Sequence, residues 1–364
     1  MASQEYKCPA CGGTMEFDPE LQKLKCPFCD TVISIEEYED LLKKDAANSE
    51  SDENKSDNKA KMSDEAADQA GFDSNMSVYI CQSCGGEIIA DKETGATKCP
   101  FCGNNVVFKE IFEGGRTPDL VIPFKLNKDE AKKMYKKFLG KKKLIPKTFF
   151  DENHIDEIKG VYIPYWLFDS LSKFNIKYEG TKIKTWSDSR YNYTDTSYYD
   201  IQRAGTLGFE NVPVDGSEKM PNDLTESIEP FNMNEIKDYS SAYLAGFVAN
   251  KYDVDDTAAE PRAKERMTTS TSDIVRGTVG GYSSVRPVAT SIDLNDAKAK
   301  YALYPVWILN TTWKNKHYLF AMNGQTKKFV GNLPMDNKRA LMYFSMFSAI
   351  FSVVAIIVEL IVRF

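Results

Sequence analysis

A duplicated four-cysteine pattern, a β-patterned middle and a long apolar stretch together predict an α+β protein. The expected parts are two small four-cysteine ribbons, a β-rich α+β domain and one C-terminal transmembrane helix. All eight cysteines fall into two copies of C-x2-C-x14-C-x2-C, at Cys8, Cys11, Cys26, Cys29 and at Cys81, Cys84, Cys99, Cys102, offset by 73 residues. Neighbouring letters repeat too: Cys11-Gly12-Gly13 answers to Cys84-Gly85-Gly86, and Lys25-Cys26-Pro27-Phe28-Cys29 to Lys98-Cys99-Pro100-Phe101-Cys102.

The spacing has a chemical reason. A C-x2-C turn points two sulfurs at one centre, and two such turns supply the four thiolates of a closed tetrahedral zinc site. Gly12, Gly85 and Gly103 follow a knuckle's second cysteine, where positive φ costs glycine least, and Asp30 takes the remaining such place. The sequence therefore predicts two zinc ions, each holding a module too short to bury a useful core. Iron in rubredoxin-like sites uses the same turns and stays the alternative metal. A disulfide framework requires an oxidising compartment, and the first seven residues carry no apolar signal segment. Four sulfurs close the coordination sphere, so the expected role is structural.

Domain ranges follow. Residues 1–44 form ribbon one, 45–77 an acidic linker, 78–113 ribbon two, 114–335 the β-rich domain and 340–362 the transmembrane helix. The linker is rich in Ser, Asp, Glu and Asn and reads as a disordered tether that lets ribbon one search a wide volume. Ala340 to Val362 is a 23-residue apolar stretch, about 34 Å long as a helix against a hydrocarbon core of about 30 Å. Its one internal charge, Glu359, stands four residues before Arg363 and suits an interfacial pairing. Lys327, Lys328, Lys338 and Arg339 precede the stretch and only Arg363 follows it, so the positive-inside rule keeps the bulk of the chain cytoplasmic, single-pass at the cell membrane.

In the middle, Asn127 with Asp129 and Glu130 opens a helix whose stripe is Ala131, Met134, Tyr135, Phe138 and Leu139, with Gly140 as its stop. Its other face carries Lys132, Lys133, Lys136 and Lys137, and Lys141, Lys142 and Lys143 continue the charge. That run is either a solvated face or a surface for anionic lipid or a partner. Strand patterns cover Val161 to Phe168, Lys173 to Trp186, Tyr191 to Phe209 and Ala302 to Phe320; helices are expected within Asn234 to Lys251 and Asp256 to Arg276. A weak echo relates Ile163–Asp169 to Tyr304–Asn310, suggesting two β units of related shape, and the Trp and Tyr residues are expected in the core.

No G-x-S-x-G, P-loop, H-E-x-x-H or dinucleotide fingerprint is present, and two histidines, His154 and His317, allow no extensive relay, so no enzyme is expected and no catalytic residue is assigned. Ribbon one carries five Lys against nine Asp or Glu and ribbon two three against five. That balance argues for protein contacts and against phosphate, leaving a membrane-tethered nucleic-acid binder as the alternative.

With these residues in view, the ribbons, through Cys8-Pro9-x-Cys11-Gly12 and Cys26-Pro27-x-Cys29, resemble zinc ribbons of the transcription factor IIB type. Together with Ile163-Pro164-Tyr165-Trp166, Tyr243-Leu244-Ala245-Gly246-Phe247, Tyr304-Pro305-Val306-Trp307 and Ala321-Met322-Asn323-Gly324-Gln325-Thr326, the chain resembles a family of bacterial, mainly Gram-positive, zinc-ribbon membrane proteins. Some members carry a primosomal helicase-like label, which the missing P-loop does not support here. Others are similar to proteins encoded beside phage-shock protein A and a flotillin-like (SPFH-domain) protein. The resemblance implies a non-enzymatic, tail-anchored adaptor that recruits such cytosolic partners to a stressed membrane.

Overall fold

The computed structural model describes residues 6–49, 76–80, 87–91, 94–98, 105–108, 116–146, 149, 155–218, 220–295 and 298–363. The second cysteine set, residues 50–75 of the expected linker, and His154 lie outside the described residues, while the last two linker positions, 76 and 77, fall in a strand. The architecture is α+β with a sheet-rich body. Ribbon one is a small sheet of β1 (Glu16–Asp18), β2 (Lys23–Lys25) and β3 (Val32–Ile33), followed by helix α1 (Ile35–Ser49). Helix α1 thus runs five residues past the expected end of the ribbon at 44.

Further along, β4 (Met76–Ile80) pairs with β5 (Glu87–Asp91), while β6 (Thr94–Lys98) pairs with β7 (Asn105–Val107). Those last two join the body instead of standing apart as a ribbon. The body contains β8 (Leu120–Val121), α2 (Lys128–Gly140), β9 (Lys159–Ser187), β10 (Asn192–Asp215), α3 (Asn222–Ser227), β11 (Lys237–Asp238) and β12 (Val248–Asn250). After these come α4 (Asp256–Gly277), β13 (Ser284–Leu294), β14 (Lys298–Trp313), β15 (Lys316–Asn323), β16 (Phe329–Gly331) and α5 (Asn337–Arg363). Among the described residues eleven strands form one sheet, with the central order β11-β8-β14-β9-β12-β6-β7.

Strand β9 organises the sheet. Its first part is buried on both faces, which explains the near-continuous apolar run Val161–Phe168. Val161, Ile163, Tyr165 and Leu167 face one core with Ile228 and Tyr304, and Tyr162, Trp166 and Phe168 face another with Phe124, Tyr135 and Tyr301. One edge of β9 carries β14 and then β13; the other carries β12 and then β10. Beyond Asp169 the strands β9, β10 and β13 continue as a three-stranded arm, and α4 covers one face of it. There Val275 and Val279 pack on Ile176, Tyr178 and Ile201, and Ser172 and Thr271 share a hydroxyl contact of 3.0 Å. The two segments that echo each other in sequence lie side by side, antiparallel, with Tyr304 opposite Ile163.

The expected strands and the helix at Asp256 are present, with three differences. Val161–Phe168 and Lys173–Trp186 are one strand of 29 residues. Ala302–Phe320 is a hairpin turned at Lys314 and Asn315, whose φ of 50° and 58° are left-handed. The helix expected within Asn234–Lys251 is corrected to short 3-10 turns at Met233–Glu235 and Ser241–Leu244 flanked by β11 and β12. Its backbone groups find distant partners instead: Tyr239 N–H donates to Asp119 O, Ala245 O accepts from Phe17 N–H, and Gly246 takes φ +94°.

Arm and α5 leave the sheet at opposite ends. Lys298 pairs with Asp169 at the root of the arm, while Trp313, at the other end of β14, adjoins the start of α5. Fifteen strand steps separate those ends, about 50 Å at 3.3 Å per residue. Trp186 and Tyr193 stack at the tip of the arm with ring centroids 5.5 Å apart and Trp186 54% exposed, so this tryptophan does not follow the core expectation met by Trp166 and Trp307.

Candidate metal centre

The Sγ atoms of Cys8, Cys11, Cys26 and Cys29 all lie within 4.8 Å of one another. Cys8 and Cys29 are 3.5 Å apart and Cys11 and Cys26 3.6 Å. A tetrahedral ion with bonds of about 2.3 Å requires sulfurs about 3.8 Å apart, so the cluster has the size of a four-thiolate site. Bond length alone fits zinc and iron equally.

Local sequence dictates the cradle. In the first knuckle Gly12 N–H donates to Cys8 O at 2.9 Å and Gly12 takes φ +72°; in the second, Asp30 N–H donates to Cys26 O at 3.0 Å and Asp30 takes φ +58°. These are the two left-handed positions expected in ribbon one. Gly13 has a separate reason: a Cβ there would meet the Phe28 ring at 2.6 Å, which links the repeated Gly-Gly and Pro-Phe letters as contact partners. The Thr31 hydroxyl, 3.1 Å from Cys29 Sγ, and the Thr31 amide hold the Cys29 thiol down to about 6. A thiol ionised near neutral pH is ready to ligate a cation.

Ribbon one is docked on the body, against the expectation of a free search. Phe17 N–H donates to Ala245 O at 2.9 Å, and the Phe17 ring meets Tyr243 edge-on at 5.2 Å. Tyr6 and Ser241 hydroxyls are 2.6 Å apart, Gln22 Nε2 donates to Phe124 O at 2.7 Å, and Ser240 donates to Glu39 at 2.6 Å. Glu16 accepts from Lys98 at 3.0 Å and from Asn105 at 3.2 Å, tying ribbon one to β6 and β7. Burial of these groups raises the Tyr6 phenol above its ordinary range. The opposite side is open: Cys11 and Cys29 are exposed and Phe28 is 73% exposed, while Cys8 and Cys26 are buried. Composition carries no signal of this docking, because each contact joins residues 82 or more positions apart in the chain.

The lysine-rich helix forms as expected. Asn127 and Glu130 make a reciprocal capping box, and Ala131, Tyr135 and Leu139 are buried. Lys133, Lys136, Lys137, Lys141, Lys142 and Lys143 are exposed and Lys132 is half-buried. The structure carries α2 from ribbon one, where Asn127 donates to Glu20, to the base of α5, where Leu144 O accepts from Asp336 N–H at 2.8 Å. Helix α5 is long and apolar enough to cross a membrane: within Asn337–Ile361 an 18-residue window has a mean hydropathy of 2.4, and none of that window is buried against the body.

The whole-chain comparison decides the family. Over 340 residues, 93% of this chain and 93% of the relative, the sequence is 34% identical to the Bacillus subtilis (strain 168) protein named uncharacterized protein YdjG. The chain belongs to the YdjG family. A match over 93% of each chain extends well beyond any one small module, so the YdjG likeness is not that of a shared ribbon alone. No protein-family model and no solved structure matches the chain.

Proposed function

We propose that this protein is a non-enzymatic, membrane-anchored adaptor that recruits or organises cytosolic protein partners through its metal ribbons. In this reading α5 spans the cell membrane once, the remainder is cytoplasmic, and each ribbon holds one zinc ion. The partner class is the one the family resemblance implies, an SPFH-domain or phage-shock-protein A type protein, at a membrane under envelope stress.

One observation carries the reading. Ribbon one is clamped to the body through Tyr6, Phe17, Gln22 and Glu39 and leaves its metal knuckles outward, with Phe28 73% exposed beside Cys29. An exposed aromatic on a rigid support suits a protein contact, since aromatic anchors dominate interface energies and lose little entropy on binding. The acidic excess of ribbon one, five Lys against nine Asp or Glu, disfavours phosphate backbones.

The test is co-purification from gently solubilised membranes, comparing the native chain with Cys26→Ser, with zinc and iron measured in both. The adaptor reading expects a defined protein partner that is lost together with the metal. Retention of every partner by the metal-free variant would contradict it, and iron with a reversible redox couple would transfer the ribbon to electron transfer.

A further inference from the structure

The base of α5 gathers positive charge from three separated parts of the chain. Leu144 O accepts from Asp336 N–H at 2.8 Å and Ile145 O accepts from Arg339 Nη1 at 2.8 Å, so the segment after α2 is fastened to the first turn of α5. That brings Lys141, Lys142 and Lys143 beside Lys338 and Arg339. An open cavity of about 500 Å³ at the same place is lined by Trp313 and Lys314 from the β14–β15 turn together with Met335 and Arg339.

Charge at this place opposes that of the whole chain. Segments 141–146, 313–317 and 335–339 carry seven cations, Lys141, Lys142, Lys143, Lys314, Lys316, Lys338 and Arg339, against one acid, Asp336, a formal balance of +6 in a protein of formal net charge −7. Asp336 is itself engaged by Arg339 at 3.5 Å. Exposed apolar groups accompany the cations: Met335 is 62% and Leu144 38% exposed. Lysines around exposed apolar groups, with a partly buried tryptophan, at the point where an apolar helix leaves a folded body form the composition of a membrane–water interface.

We propose that this surface binds the anionic headgroups of the bilayer that receives α5, and so holds the body in one orientation, with the arm pointing away from the membrane. The inference rests on the reading of α5 as membrane-spanning and adds the lipid class and the residues that meet it. Anchoring by α5 alone leaves the body free to tilt; a second contact beside the anchor restricts that freedom. Each lysine near an anionic surface shifts the docking equilibrium about fivefold, the equivalent of about 1 kcal/mol, and the attraction decays over a Debye length of about 8 Å at physiological ionic strength.

The experiment uses the full chain in nanodiscs of phosphatidylcholine alone or with added phosphatidylglycerol, with hydrogen–deuterium exchange followed at residues 141–146, 313–317 and 337–361. Phosphatidylglycerol is expected to slow exchange at least fivefold in the first two segments, and high salt to reverse the effect. Lys141→Glu, Lys142→Glu and Lys143→Glu combined should abolish it, whereas Lys173→Glu with Lys177→Glu on the arm should not. The lysines replaced are exposed, so thermal unfolding of the triple variant should match the native chain.

Protection of 337–361 in both discs with no effect of phosphatidylglycerol on the other segments would overturn this inference alone. Exchange-open 337–361 would overturn the membrane reading and this inference with it. Protection of 141–146 by a DNA oligonucleotide, and not by phosphatidylglycerol, would assign the surface to nucleic acid and overturn the proposal.

Discussion

Truncation of Phe17 separates the folding of ribbon one from its docking. Phe17 is 3% exposed, its ring meets Tyr243 at 5.2 Å and its amide donates to Ala245 O at 2.9 Å. Removing a buried phenylalanine ring costs about 3–5 kcal/mol, whereas a structural zinc ion supplies about 10–16 kcal/mol to a small module. Phe17→Ala therefore leaves the cluster of Cys8, Cys11, Cys26 and Cys29 metallated while weakening its hold on the loop that carries Ser240 to Gly246. If most of the loss falls on docking, amides of that loop should exchange about a hundredfold to a thousandfold faster, since each 1.4 kcal/mol is a factor of ten. The assay is hydrogen exchange of the full chain in detergent, paired with metal content per chain. Full metal content with unchanged protection around Ala245 would refute the reasoning, because the ring would then contribute nothing to docking.

Two other perturbations follow from the body. Burial, opposed by the Ser217 amide, pushes the Asp215 carboxyl up to about 7, and its Oδ2 is buried without a hydrogen-bond partner. With an unfolded value near 3.9, the penalty is absent below about pH 4, grows as the unfolded carboxyl ionises, and is complete above about pH 7. Asp215→Asn should raise stability by about 1–3 kcal/mol at pH 8 and change little near pH 4; parallel denaturation profiles at the two pH values would count against it. The Arg266–Glu229 pair is largely buried, at 25% and 15% side-chain exposure, so Glu229→Leu strands the guanidinium and should cost about 2–4 kcal/mol in a urea titration. Adding Arg266→Met should recover part of that loss; a double variant as unstable as the sum of the singles would show that the two side chains do not act as a pair.

What was legible in the sequence was local. Four cysteines at fixed spacing, Gly12 and Asp30 at left-handed positions, the Asn127–Glu130 capping box and the apolar run of α5 each express chemistry within a few residues. The alternation in β9 and β10 was legible for the same reason, since period-two patterning needs only one strand. What escaped depends on distant partners. Tyr239, Tyr243, Leu244 and Phe247 look like one side of a helix, yet Phe247 stacks on Phe124 at 4.2 Å and Tyr243 meets Phe17 edge-on, contacts that favour turns over a helix. The joining of β6 to β12 is set by the pairing of Ala96 with Ala249, which no local signal announces. Residue type alone puts Trp186 in the core, but its strand outruns α4 and leaves the ring at the tip of the arm. Lys141 to Lys143 owe their neighbourhood to Leu144 and Ile145, whose carbonyls are fastened to the start of α5 by contacts remote in sequence.

In the proposed function the metal knuckle of the docked ribbon meets a cytosolic protein at the membrane. The most direct test of that contact places a photo-crosslinking residue at Phe28 of the full chain in cells, with a second placement at Leu171, 50% exposed on the arm, as the comparison. The account predicts a membrane-associated protein adduct at position 28 that disappears with Cys26→Ser and is absent at 171. No adduct at 28, or one that persists without the metal, would contradict it.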